Sequence, residues 1–380
     1  MRVVIAIDSF KGSLTSMEAG YAAREGILRA VPQAEIIVKP LADGGEGTTA
    51  ALIEGLGGKF VSAEVTGPLG GKVTAKYGIM NDNTAVMEMA EAAGIVLVDR
   101  NDLNPHIATT YGVGEMILDA VKRGCRKFII GIGGSATTDG GVGMLQAIGY
   151  KFLDSNGDQI PFGIDPLDMI EKISSDNVIP ELDECYFLIA CDVRNPLCGE
   201  NGAVYVFGFQ KGVKENEKEV LDQKMRHYAD KTAKFTGTDN RDAEGAGAAG
   251  GLGFAFLSCM KNAELRPGAD IVLEAVGLES NIKDSDIVVT GEGRLDSQTA
   301  MGKAPIGVAR LAKKYGKRVI AFAGSVSDDA AKCNDEGIDA FFPILREVTT
   351  LEEAMDKETA KKNMALAAEQ VFKILYYFPF

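Results

Sequence analysis

Short apolar runs, each closed by a polar loop and followed by residues at helical spacing, recur at both ends of this chain. Residues 2–7 predict a buried strand. The loop Asp8-Ser9-Phe10-Lys11-Gly12-Ser13 follows, and Thr15 or Ser16 is placed to cap a helix that runs to about Ala30 and stops before Pro32. Residues 35–38 predict a second strand, Pro40 to Gly47 a second polar loop, and a helix continues to about Glu54. This is the opening of a parallel α/β sheet. From Lys59 to Lys76 the pattern changes to alternating strands with turns at Gly67-Pro68 and Gly70-Gly71, which sets a boundary near residue 65.

Further on, Thr109 to Arg123 reads as a helix, Phe128 to Ile130 and Tyr186 to Ala190 as buried strands, and Lys211 to Lys234 as a charged helix with a solvated face. Strand–helix alternation returns at Asp286. Strands are expected over 286–289, 318–323 and 339–343, and helices over 306–314, from Asp328, and over 350–375. The pattern predicts one doubly wound α/β sheet built from residues 1–65 and 285–380, with a second α/β domain, residues 66–284, inserted.

Composition narrows the class. The chain has 380 residues, 46% hydrophobic and 25% charged, with a formal net charge of −14. That balance fits a globular protein with ample core and disfavours nucleic acid or an anionic membrane as partner. No apolar run approaches the ~20 residues that span a bilayer, and residues 1–10 lack the apolar region of a signal peptide. Six cysteines form no C-x-x-C pair, which suits reduced thiols in a cytoplasmic protein. With only His106 and His227 present, a His-based metal site is disfavoured.

Forty-five glycines cluster in polar loops, and the densest of these is Gly131 to Gly143, GIGGSATTDGGVG. A strand precedes it and helical spacing follows, so converging amides and a helix N-terminus are expected to cradle an anion there. The candidate phosphate ligands are Gly133, Gly134, Ser135, Thr137, Thr138, Gly140 and Gly141. A second Gly-rich loop, with Gly250 and Gly251, precedes the apolar run Phe254 to Met260. No Lys-Ser/Thr pair closes the first loop, so it is not a Walker A motif. Gly131, Gly133 and Ala136 do match G-x-G-x-x-A, with Asp154 as the following acid. That leaves a nucleotide-dependent oxidoreductase as an alternative. A non-catalytic small-anion binding protein is another.

Five strand-end loops carry acid: Asp8, Asp43 with Glu46, Asp139, Asp192, and Glu292 with Asp296. Carboxylates beside amide cradles make sense together if Mg²⁺ sits between them and a polyphosphate. Phosphoryl transfer needs such positioning and charge neutralisation, with a base near the acceptor hydroxyl. Lys11 and Arg294 are candidate cations for an acceptor carboxylate or the transferring phosphate. Taken singly, Asp8, Asp43 and Asp192 are equally suited to turn chemistry. Glu88 and Glu91, among apolar residues, are expected to pair with a buried cation.

Six blocks carry a resemblance over essentially the whole length. They are Asp8 to Ser13, Ala42 to Thr48, Gly131 to Gly141, Cys191 to Leu197, Gly202-Ala203 with Phe207 to Gly212, and Thr290 to Asp296. In these the chain resembles the bacterial glycerate kinases. Thr138 stands where that family commonly has Asn, and Phe209 where it commonly has Pro. The resemblance implies two α/β domains, one of them flavodoxin-like. It also implies ATP- and Mg²⁺-dependent phosphorylation of D-glycerate in the cytoplasm, with 2-phosphoglycerate the favoured product. On this basis ATP phosphates are expected on the Gly133–Gly141 loop, with the second Gly-rich loop as a further cradle. Glycerate is expected in a cleft between the domains, bound by Asp8, Ser9, Lys11, Arg294 and Asp296. The expected catalytic group is Asp192, then Asp43, with Lys11 and Arg294. Mg²⁺ is expected near one of Asp139, Asp192 or Asp296, held mainly by phosphates.

Overall fold

The computed structural model describes residues 1–377 and divides the chain into two compact units. The first holds residues 1–43, 50–57 and 268–377, and the second residues 44–49 and 58–267.

The first unit is built on β1 (Arg2–Ile7), β2 (Glu35–Pro40) and three strands labelled in chain order below. Those three are β11 (Ile287–Leu295), β12 (Arg318–Val326) and β13 (Ala340–Pro343). All pairs are parallel, in the order β2-β1-β11-β12-β13. That is the flavodoxin-like order, with the topological switch between β1 and β11. The helix Ser16–Ala30 starts at Thr15, whose side chain accepts from the Glu18 N–H while Glu18 caps back. It packs against the helix Lys357–Tyr377 so closely that a β-carbon on Gly26 would lie 1.9 Å from the Ala365 carbonyl oxygen. Ile5, Ile7, Ala23, Val289, Phe322, Met364 and Phe372 fill the core between these helices and the sheet.

The second unit contains β3 (Gly58–Thr66), β4 (Lys72–Met80), β5 (Thr84–Glu88) and β6 (Lys127–Gly131). A short hairpin, β7 (Lys151–Leu153) and β8 (Lys172–Ser174), stands apart as its own two-stranded sheet. The main sheet is completed by β9 (Tyr186–Ala190) and β10 (Ala263–Arg266), in the order β10-β9-β6-β5-β4-β3. From β10 to β5 the strands are parallel, and the β3–β4–β5 edge is antiparallel.

Three expectations need correction. The boundaries fall at Gly58 and Gly268, not at 66 and 285. The cause is that β3 pairs along its length with β4, and the helix Gly268–Ala275 packs on the helix Ala304–Lys314 of the first unit. Residues 291–295 are strand rather than loop, because β11 continues its pairing with β12 to Val326. The expected helix over 350–375 is two helices, Leu351–Met355 and Lys357–Tyr377, broken at Asp356.

Candidate active site

In the first unit a cavity of about 480 Å³ opens at the carboxyl ends of β1 and β11. That is the switch point, where ligands bind in open α/β sheets. Asp8, Ser9, Lys11, Asp43, Glu292, Arg294, Asp296 and Lys303 all line it, against an apolar wall that includes Ile344, Leu351 and Met355. The sequence-predicted substrate residues are therefore brought together, with Lys303 added to them.

Asp8 is held at the mouth of β1 by its own N–H, which donates to the Gly291 carbonyl at 2.8 Å. Its Oδ1 accepts from the Ser9 N–H at 2.6 Å. Only 8% of the residue is exposed. Burial, followed by the negative charge of Asp43, pushes its carboxyl up to about 7, with the Ser9 N–H opposing and Glu292 adding to the rise. Glu292 is raised as well, first by burial. The Thr299 hydroxyl, which donates to it at 2.7 Å, and Lys303 Nζ, 3.7 Å away, pull the other way. Asp296 spends Oδ1 on capping the helix Ser297–Ala300 through the N–H groups of Gln298 and Thr299. Its Oδ2 lies 3.5 Å from Arg294 Nε, and the Arg294 side chain is exposed. The cavity thus sets four carboxylates, Asp8, Asp43, Glu292 and Asp296, beside three cations, an arrangement suited to a small anion with a hydroxyl to be deprotonated.

In the second unit a cavity of about 400 Å³ lies at the carboxyl ends of β6 and β9. Gly133, Gly134 and Ser135 form one wall and Asp192 and Val193 another, and Gly44, Gly45, Gln210, Lys211, Ala248 and Ala249 are among the other lining residues. A β-carbon on Gly133 would meet open space, so the backbone there is accessible to a ligand. Gly134 turns the chain with φ 71°. Of the expected phosphate loop, this is the part that lines a cavity.

The rest of the 131–143 loop faces inward. Thr137 and Thr138 are fully buried, and neither hydroxyl has a hydrogen-bond partner or lines the cavity. Gly140 and Gly141 have φ of 66° and 76° and close against Tyr228 and Ala255. Asp139, 1% exposed, accepts from the N–H groups of Thr110, Gly141 and Gly143 and from the Thr110 hydroxyl. The expected metal ligand is instead an internal acceptor. It occupies the amides at the start of the helix Val142–Ala147, so that helix end is closed to a ligand. Burial pushes the Asp139 carboxyl up against the pull of those four donors.

The second Gly-rich loop is a support rather than a second cradle. The Gly250 carbonyl accepts from the Gly140 N–H at 2.9 Å, and a β-carbon on Gly250 would lie 2.1 Å from the Thr137 carbonyl oxygen. Gly251 presses on Gly140 in the same way, and only Ala248 and Ala249 of that stretch reach the cavity. Glu88 and Glu91 accept backbone N–H groups, from Gly47 and Thr49 and from Lys76, rather than pairing with a buried cation. Phe209 is 76% exposed.

The dinucleotide match also dissolves. Asp154 accepts from the N–H groups of Asn156 and Asp158 in the turn after β7, outside the parallel sheet. The neighbours of β6 are β5 and β9, so Asp154 does not stand at the end of a strand beside it, where a ribose-binding acid would be needed.

Sequence reasoning missed Lys211. It placed the residue on a solvated face, yet Lys211 is 2% exposed, and its Nζ donates to Ser135 Oγ and to the Thr137 carbonyl, both at 2.7 Å. The available signal was a lone lysine enclosed by Gly208 and Gly212, ahead of the charge run that starts at Lys214. Among the described residues no group of three or more His, Cys, Asp or Glu is arranged to hold a metal ion. No helix there is long and apolar enough to cross a membrane.

The glycerate kinase family model matches residues 3–376. This chain belongs to the glycerate kinase family. It is 47% identical to the glycerate 2-kinase of Escherichia coli K12 over 93% of both chains. Against the glycerate kinase of Bacillus subtilis it is 48% identical, over 94% of this chain and 93% of that one. The crystal structure assigned to glycerate kinase 2 from Salmonella typhimurium LT2 superposes with a TM-score of 0.92 at 42% identity, covering 99% of this chain and 98% of that one. Family membership and the flavodoxin-like order together make the chain an enzyme of this family, and the six blocks that carried the resemblance supply most of the second-unit cavity lining and half of the first-unit one.

Proposed function

We propose that the protein transfers the γ-phosphoryl group of ATP to D-glycerate, with the acceptor bound in the first unit and the donor phosphates in the second. The observation that carries the acceptor assignment is the charge pattern around Asp8. Lys11, Arg294 and Lys303 offer positive charge to a carboxylate, and Asp8 has a carboxyl pushed up to about 7. A base of that strength is half ionised at neutral pH and can take a proton from the acceptor hydroxyl as phosphoryl transfer proceeds. Asp8 is therefore a better candidate base than Asp192 or Asp43. Asp43 belongs to the same acid group and raises the proton affinity of Asp8, while Asp192 belongs to the donor cavity.

The donor phosphates are assigned to the open amides of Gly133 to Ser135. Mg²⁺ would arrive with the nucleotide, held chiefly by phosphate oxygens, and would neutralise their charge during transfer. The donor set fits that role, because the described residues supply scattered single carboxylates, Asp192 and Asp296 among them, rather than an all-protein cage. We place the enzyme in the cytoplasm, in keeping with its six free thiols.

A coupled assay of ADP release, with and without D-glycerate, tests the activity. Direct coupling of the product to enolase tests the position, because only 2-phosphoglycerate is consumed without a mutase. The name of the Escherichia coli relative favours that isomer. ADP release indifferent to glycerate would remove the acceptor assignment.

A further inference from the structure

Lys211 carries an unusual burden. A fully buried lysine normally sits against a carboxylate, since burying an unpaired charge is costly. Here the two partners of Nζ are neutral, the Ser135 hydroxyl and the Thr137 carbonyl. An ammonium has three donors, and these two contacts use two of them. The residue is also one of the walls of the second-unit cavity, next to the only part of the Gly-rich loop that opens into it. Its backbone is fixed by a short turn, Phe209–Lys211, closed by Gly212 at φ 99°. A β-carbon at Gly212 would come within 2.7 Å of the Leu103 carbonyl oxygen, so the turn is packed tightly enough to aim the side chain.

We propose that Lys211 is the donor-phosphate cation of this enzyme. It holds the Gly133–Thr137 turn through two ammonium protons and gives the third to a phosphate oxygen of the nucleotide. This rests on the assignment of that cavity to the donor. It adds a direct ligand contact from a residue outside the Gly-rich loop.

The electrostatics support the geometry. Burial pulls the Lys211 ammonium down to about 7, and the charge of Asp139 partly opposes that fall. The charged groups to reckon with are Asp139, from the 131–143 loop, and Asp192, which shares the cavity lining. In the empty cavity at pH 8, Lys211 is therefore largely neutral. A bound polyphosphate restores the missing counter-charge and favours the ammonium, so nucleotide binding takes up a proton. At pH 6 the side chain is already charged and the uptake vanishes. Affinity for the nucleotide falls as pH rises from 6 to 8.

The test is calorimetric titration of the whole enzyme with the magnesium complex of a non-hydrolysable ATP analogue, in buffers of differing ionisation enthalpy. The wild type is expected to take up close to one proton at pH 8 and little at pH 6. Lys211→Met, neutral and of similar length, is expected to bind 30- to 300-fold more weakly, to show no uptake at either pH, and to leave glycerate KM within threefold. Lys211→Arg keeps a cation and is expected to recover part of the affinity. Unchanged affinity in folded Lys211→Met would overturn the proposal. Weaker binding by that variant, when the wild type takes up no proton, would reduce Lys211 to a support of the loop and overturn the phosphate contact. If Lys211→Met does not fold, absence of uptake by the wild type alone overturns it. Failure of the wild type to bind the analogue at all would instead overturn the donor assignment, while glycerate binding to the first unit would be untouched.

Discussion

Replacing Asp8 by Asn should stabilise the protein at pH 8 while disabling it. The native carboxyl is moved from 3.8 to about 7 by burial and by Asp43. Each tenfold change in proton affinity is worth about 1.4 kcal/mol, so ionising Asp8 in place costs the folded state about 4 kcal/mol at pH 8. The sign follows from linkage. Between pH 4 and 7 the native state keeps a proton that the unfolded chain has released, so this group lowers stability as pH rises through that window. Below pH 4 both states are protonated and the penalty is gone. Asn preserves the shape and can still accept the Ser9 N–H bond made at 2.6 Å. It carries no charge for Asp43 and Glu292 to repel. Relaxation around the native charge trims the gain to about 2–4 kcal/mol, or roughly 4–16 °C in the Tm of the first unit. Scanning calorimetry at pH 8 and at pH 4 measures it, and the difference between variant and wild type should shrink towards zero at pH 4. In the same variant kcat should fall about 10²- to 10⁴-fold, the usual contribution of a general base. The wild-type kcat/KM for D-glycerate, at saturating nucleotide, should rise with pH through about 7. A variant that is less stable at pH 8, or equally shifted at both pH values, would refute the assigned environment of Asp8.

Lys11→Met and Arg294→Met should each raise the KM for D-glycerate about 10- to 100-fold, since charged hydrogen bonds of this kind contribute about 1.5–3 kcal/mol. Their KM for ATP should stay within threefold, and initial-rate kinetics separate the two. Asp139→Asn should lower the unfolding free energy by about 2–4 kcal/mol, because Asp139 accepts through both carboxylate oxygens and the amide nitrogen that replaces one of them faces a donor with a donor. Urea unfolding checks this, and a neutral result would reopen Asp139 as a ligand-facing acid. Gly26→Ala should cost about 1–3 kcal/mol or more, as its β-carbon would meet the Ala365 carbonyl oxygen at 1.9 Å. Thermal unfolding measures that loss.

The sequence by itself determined the strand–loop–helix order, the flavodoxin-like class and the composition of the loops. Short apolar runs and helical spacing are local properties, so Arg2–Ile7 and Tyr186–Ala190 could be read directly and the first helix cap narrowed to Thr15 or Ser16. The same patterns placed Asp8, Lys11 and Arg294 near strand ends, and hence near one another once the sheet closed. Tertiary structure alone decided which way each loop residue faces. Asp139 and Asp192 look alike in sequence, as acids after buried strands. One is enclosed by amides from Thr110, Gly141 and Gly143, and the other lines a cavity. Gly133 and Gly250 both belong to Gly-rich runs, but one backbone is open and the other lies against the Thr137 carbonyl. Lys211 stands just ahead of a charge run, yet only the packing of Gly212 and of the 131–143 loop takes it out of water. Orientation and burial depend on partners distant in the chain, and no local pattern of residues records them.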